Sequence, residues 1–269
     1  MRRRPARRGA RRGRDALGVV LIGLAGLVLL GLGLGAGLVR GPPVDPETGC
    51  RTDQPPAAHT IILVDATDRL SPRHKRALLA AATEERQRLA RHDRLSVFLL
   101  DADDPRELQR LFSACDPGDG RSVNPLIANP RAAQERWEAG FAEPLQEALN
   151  RVNGGGSADW SPIVEALAAA AADPTFSPTV SERRIVLSTD LLEHHPGGFS
   201  LFQTGATFEA FAATPEGRSA ALDLTGVSVR VLTQDHPDRA EAQHAARDAF
   251  WAPLMEEAGA ESVTFDPSL

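Results

Sequence analysis

The sequence is most tightly constrained at Thr60-Ile61-Ile62-Leu63-Val64-Asp65-Ala66-Thr67-Asp68, where a β-branched apolar run stops abruptly in acids and hydroxyls. A strand that is apolar on both faces must be buried on both faces, so it belongs in the middle of a parallel sheet covered by helices. In an open α/β sheet, ligands sit beyond the carboxyl ends of the strands. Asp65 and Thr67 would stand there. Two later stretches reach the same place by the same logic: Ser161, ahead of an Ala-rich helix, and Asp190, which closes Arg184-Ile185-Val186-Leu187-Ser188-Thr189-Asp190.

The rest of the chain alternates between strand and helix signals. Ser71-Pro72 reads as an N-cap with Pro at the first helical position, opening a helix over about 72–92. Leu95 to Asp101 reads as a second strand. Residues 107–115 are ambiguous, with a short strand preferred. The cluster Asp116-Pro117-Gly118-Asp119-Gly120 is a turn. A long helix fits 131–152, and a second fits 162–172 with Ser161-Pro162 as its cap. A strand over 183–190, a short helix near 206–213 and a strand over 227–232 follow. A helix over 238–258 then ends at Gly259, and an edge strand fits 261–265. This order predicts an α/β fold: a doubly wound, mostly parallel sheet with helices on both faces, over residues 59–269.

The first 58 residues differ in kind. Residues 1–15 hold eight Arg and one Asp, a local charge of +7 within a chain of net charge -6. The remainder is acidic, and phosphate binding needs a basic face, so no nucleic-acid partner is expected. Ala16 to Val39 is a run of 24 residues without a charge. As a helix it would span about 36 Å, enough for a hydrocarbon core of about 30 Å. It is longer than the apolar region of a secretory signal and lacks a clear small-x-small cleavage site. The expectation is an uncleaved single-pass transmembrane helix over 16–39. The Arg-rich tail, 1–15, would lie in the cytoplasm and everything after Val39 outside it, at the cell membrane. Residues 40–58, with five prolines between Pro42 and Pro56, read as a linker.

The strand-end residues carry a further likeness. Over roughly 59–265 the chain resembles the von Willebrand factor type A (vWA) fold, whose metal-ion-dependent adhesion site has Asp-x-Ser-x-Ser after the first strand, a Thr on a second loop and an Asp on a third. Asp65 matches the first Asp and Thr67 the first hydroxyl, while Arg69 stands where the second Ser belongs. Ser161-Pro162-Ile163-Val164-Glu165 resembles the second loop with Ser for Thr. Asp190 matches the third-loop Asp, followed by Leu191 where the family has Gly. The resemblance implies Mg²⁺ or Mn²⁺ held by Asp65, Thr67, Ser161 and Asp190, because a hard cation takes oxygen ligands. Ser71 either supplies the missing hydroxyl or serves only as the helix cap. Arg69 either puts a fixed cation beside the pocket or points away from it.

Other candidates are weaker. An apolar strand ending in Asp also opens haloacid dehalogenase folds, but the second acid they need is Thr67 here. Glu193-His194-His195 reads as a solvated loop, His236 and His244 as surface residues, and Trp137, Trp160 and Trp251 as packing. Cys50 and Cys115 are the only cysteines. In this fold Cys50 lies at the lower end of the sheet. If the segment ending at Cys115 returns antiparallel to the second strand, it ends there too, so a disulfide is expected in an oxidising exterior. The function expected is a membrane-anchored, non-enzymatic vWA-like module that binds a protein partner outside the cytoplasm. The alternatives are a structural subunit of a membrane complex with a vestigial metal site and, less favoured, a metal-dependent hydrolase.

Overall fold

A computed structural model describes residues 20–31, 41–101, 107–125, 128–152 and 158–267. Residues 20–31 are helical and expose Val20, Leu21, Ile22, Leu24, Leu27, Val28, Leu29 and Leu30. The rest of the expected span lies outside the described residues, and no helix among the described residues is long and apolar enough to cross a membrane. The described residues fall into two units, divided between Pro43 and Val44.

The second unit is built on six strands: β1 (Ala58–Ala66), β2 (Arg94–Asp101), β3 (Leu108–Cys115), β4 (Glu182–Thr189), β5 (Val227–Thr233) and β6 (Ser262–Pro267). Their order in the sheet is β3-β2-β1-β4-β5-β6. All neighbours are parallel except β2 and β3. That exception follows from the connection, since the six residues between β2 and β3 are too few for the crossover that parallel strands need. The mostly parallel, doubly wound sheet is therefore as expected, and the ambiguous 107–115 segment is a strand.

Side chains on β1 alternate between two cores. Ile61 and Leu63 face one, with Ile185, Leu187, Val229 and Val231 from the neighbouring strands. Ile62 and Val64 face the other, with Val97, Leu99 and Val186. This period of two is what a pleated strand imposes, and it explains why the run had to be apolar throughout. The first core is covered by α4 (Ile163–Ala171), α5 (Phe208–Ala212) and the helical stretch formed by α7 (Ala240–Ala246) and α8 (Ala252–Glu257). A short α6 (Pro215–Ser219), absent from the expected elements, follows α5. The second core is covered by α1 (Pro72–Arg88) and by α2 (Pro130–Trp137) with α3 (Glu143–Arg151).

Two expected helices are interrupted by single π turns, Glu138–Ala142 and Arg247–Trp251. Each precedes a proline, Pro144 or Pro253, whose missing N–H removes one rung of the ladder. α1 ends at Arg88, four residues earlier than expected, because the chain turns sharply there and His92 takes a positive φ of 74°. At the lower end of the sheet, Cys50 and Cys115 form a disulfide with Cα atoms 4.8 Å apart. Around Cys50, residues 44–51 close a tight turn in which Asp45 Oδ1 accepts from the Thr48 N–H and hydroxyl.

Candidate functional site

The strand order reverses direction between β1 and β4, and a doubly wound sheet binds its ligands at the carboxyl edge of that crevice. Four of the five expected site residues meet there. Asp65, 3% exposed, closes β1 and spends both carboxylate oxygens within the protein. Its Oδ1 accepts from the Thr67 amide at 3.0 Å and the Thr67 hydroxyl at 2.6 Å. Its Oδ2 accepts from the Thr189 hydroxyl at 2.9 Å. Thr67 Oγ1 lies 3.1 Å from Ser161 Oγ, which ties the loop after β1 to the loop before α4. Asp190 follows β4, and its Oδ1 accepts the Leu192 N–H at 2.9 Å.

The fifth residue, Ser71, lies on α1 as its cap, with Oγ accepting from the His74 N–H at 3.2 Å. Arg69 is exposed. Ser161 departs from expectation in its local role. The helix begins at Ile163 with no side-chain cap from its own loop. Glu193 Oε2 accepts the Val164 N–H instead, at 2.9 Å, so the Ser161 hydroxyl is left for Thr67.

Leu191 stands where the resembled family has Gly, and its φ is 68°. The left-handed region is costly for a branched side chain, and it survives here because the surroundings hold it. Leu191 is buried, its N–H reaches the Thr189 hydroxyl at 3.0 Å, and its carbonyl accepts the Trp251 indole N–H at 2.8 Å.

Three polar residues at this crest were not foreseen. Gln234, just past β5, donates to the Asp65 carbonyl at 2.9 Å. Gln243 on α7 donates to the carbonyls of Asp190 and Gln234 and accepts the His236 N–H. Arg239 brings the cation: its Nη1 is 2.8 Å from Asp68 Oδ2 and 3.5 Å from Asp190 Oδ2. Its guanidinium carbon lies 5.3 Å from the ring of Phe202, which is exposed. The signal for Gln234 was the one that found Asp65, a polar residue at the carboxyl end of a buried strand. Nothing local marks Arg239 or Gln243.

Burial raises the Asp65 carboxyl above its ordinary range, against the three hydrogen bonds it accepts. Burial also pushes Asp190 up to about 7, helped by the neighbouring charges of Asp65 and Asp68 and opposed by Arg239. Carboxyls held in this way favour the protonated form at mildly acid pH.

A second cluster lies behind the crest. His195 is buried, which corrects the expectation of a solvated loop. The loop folds back on itself through His195 N–H to the Phe199 carbonyl and Leu201 N–H to the Glu193 carbonyl. His195 Nε2 sits 2.7 Å from Glu193 Oε1 and 3.4 Å from Glu165 Oε1. The Trp160 indole N–H can only donate, and it points at His195 Nδ1 at 3.3 Å. Nδ1 is therefore the acceptor, and Nε2 carries the proton toward Glu193. The ring thus has no free lone pair for a metal, although the three residues bring ligand atoms within 4.8 Å of one another. Burial pushes Glu193 up to about 8, and burial with the Glu193 charge pushes Glu165 up to about 7. His236 is half-buried and packs edge-on to His74, whereas His244 is exposed.

No protein-family model matches the chain, and no match was found among curated proteins. The solved structures similar to it include the following three. One is a conserved hypothetical protein BatB from Bacteroides thetaiotaomicron, at 15% identity over 78% of this chain and 89% of that one, with a TM-score of 0.35. Another is an aerotolerance-related membrane protein from Bacteroides fragilis NCTC 9343 with multiple mutations to serines, at 17% identity over 65% and 67%, with a TM-score of 0.28. The third is a von Willebrand factor type A protein from Catenulispora acidiphila, at 14% identity over 78% of this chain and 39% of that one, with a TM-score of 0.37. At these identities and scores, the fold rests on its own strand order and register.

Proposed function

We propose that this chain is a membrane-tethered, non-enzymatic interaction module that presents the crest of its sheet to a protein partner outside the cytoplasm. The observation that carries the reading is the meeting of Asp65, Thr67, Ser161 and Asp190, from three separate loops, at the strand-order reversal. Around this buried group stand residues a partner can reach: half-buried Asp68 and Arg239, and exposed Arg69 and Phe202. A rigid polar floor with a charged and aromatic rim suits recognition. It suits hydrolysis less well, because the Asp65 oxygens are committed to Thr67 and Thr189. Membrane tethering is argued from the uncharged Ala16–Val39 run and its basic flank.

A photocrosslinking residue at position 202 or 69 of the full chain, in native membranes, tests the reading against one at exposed Gln54 by the opposite end of the sheet. A discrete protein adduct from the crest positions alone is the expected result. Adducts from position 54 alone would instead favour a structural subunit whose crest makes no contact.

A further inference from the structure

The charge that a metal ion would bring to the crest is already part of the chain. An octahedral site for a hard cation takes oxygens at about 2.1 Å, so neighbouring ligands stand about 3.0 Å apart. The Thr67 and Ser161 hydroxyls, 3.1 Å apart, keep that spacing. The acidic half of the site is already engaged, by donors on Asp65 and by Arg239 on Asp68 and Asp190. Asp65 is hydrogen-bonded through both oxygens, and the second hydroxyl position of the resembled motif holds exposed Arg69. Asp68, Asp190 and His236 bring ligand atoms within 4.8 Å of one another, and the Arg239 guanidinium lies on two of the three. Phe202 packs over its outer face. At close range, a guanidinium and a divalent cation cannot share the same pair of carboxylates without strong repulsion.

We propose that Arg239 is the resident cation of the crest, taking the place of the ion, so that partner contact needs no divalent metal. The metal-independence of binding rests on the crest being the contact surface; the exclusion of the ion by Arg239 does not. Asp68 and Asp190 then orient a fixed guanidinium beside an exposed aromatic ring, a geometry suited to planar acceptors on a partner.

The test is a Mn²⁺ titration of the full chain in non-ionic detergent at about pH 8, where Asp190 is mostly ionised, followed by electron paramagnetic resonance, with Arg239→Gln and Asp190→Asn beside the wild type. The expected result is no saturable binding to the wild type at metal concentrations on the order of 1 mM. Arg239→Gln should bind at least about tenfold more tightly, because the carboxylates lose their competitor. Adding Asp190→Asn to Arg239→Gln should abolish that gain. Saturable binding to the wild type that Asp190→Asn removes would overturn the inference while leaving the interaction module intact. So would a folded Arg239→Gln protein that gains nothing. Arg239→Met, which keeps an unbranched stem under Phe202, carries the same test if the Gln variant unfolds.

Discussion

Glu165, Glu193 and Asp190 each hold a proton more tightly in the fold than in an unfolded chain. Their folded values rise to about 7, 8 and 7, mainly through burial, from ordinary values of 4.5, 4.5 and 3.8. Between the ordinary and the raised values, the folded chain binds more protons than the unfolded chain. Unfolding then releases protons, so stability falls as pH rises through that window and levels off above it. This is opposite in sign to the usual paired carboxylate. Glu165→Gln keeps the neutral form of the most accessible of the three. It should flatten part of the decline, leaving the variant closer to wild type at about pH 5 than at about pH 8, where it should be the more stable. Urea unfolding at those pH values measures it. An unchanged slope would mean that Glu165 itself holds no extra proton in the folded chain near neutral pH.

At the scale of elements, the disulfide fastens the lower end of the sheet. Cys115 closes β3 opposite Arg94 at the start of β2, and Cys50 lies in the turn that precedes β1. The bond spans a sequence separation of 65 residues. Closing a loop of that length limits the unfolded chain by about 4 kcal/mol in the entropy model. Replacing both cysteines by Ala should therefore lower unfolding free energy by about that amount without altering the crest. A loss below about 1 kcal/mol would show that the bridge adds little to the hydrogen bonds of the 44–51 turn, including the Cys115 N–H to the Thr48 carbonyl. The bridge was legible in the sequence because it depended only on topology, and topology followed from the order of apolar runs. β1 was equally legible, since unbroken apolarity marks a strand buried on both sides. Contacts between distant loops were not. Ser161 looked like a cap because Ser-Pro usually is one, and the true cap, Glu193, comes from a loop 29 residues beyond the Val164 it caps. Arg239 and Gln243 resembled ordinary polar positions on an amphipathic helix, and only the seating of the start of α7 on the loops after β4 and β5 turns them toward the crest. His195 looked solvated because Pro196-Gly197-Gly198 marks a turn, yet the turn folds its neighbour inward.

The whole molecule pairs an Arg-rich head of charge +7 and an uncharged run with an acidic body that contains the disulfide. These features constrain one another. A disulfide forms and persists mainly where the surroundings are oxidising, and the charge asymmetry about the Ala16–Val39 run would send the body to that side. Anchoring and oxidation should therefore be lost together. Two arginines at the middle of the run, Leu24→Arg with Leu27→Arg, each cost about 3 kcal/mol of insertion. The wild-type chain is expected to resist alkaline extraction from membranes and to carry Cys50 and Cys115 oxidised. The double variant should appear in the soluble fraction with both thiols open to alkylation. Thiol labelling of each fraction under non-reducing conditions reads both outcomes. An extractable wild-type chain would remove the anchor. A membrane-bound chain with two free thiols would keep the anchor and reverse its direction, placing the crest and Arg239 on the cytoplasmic side.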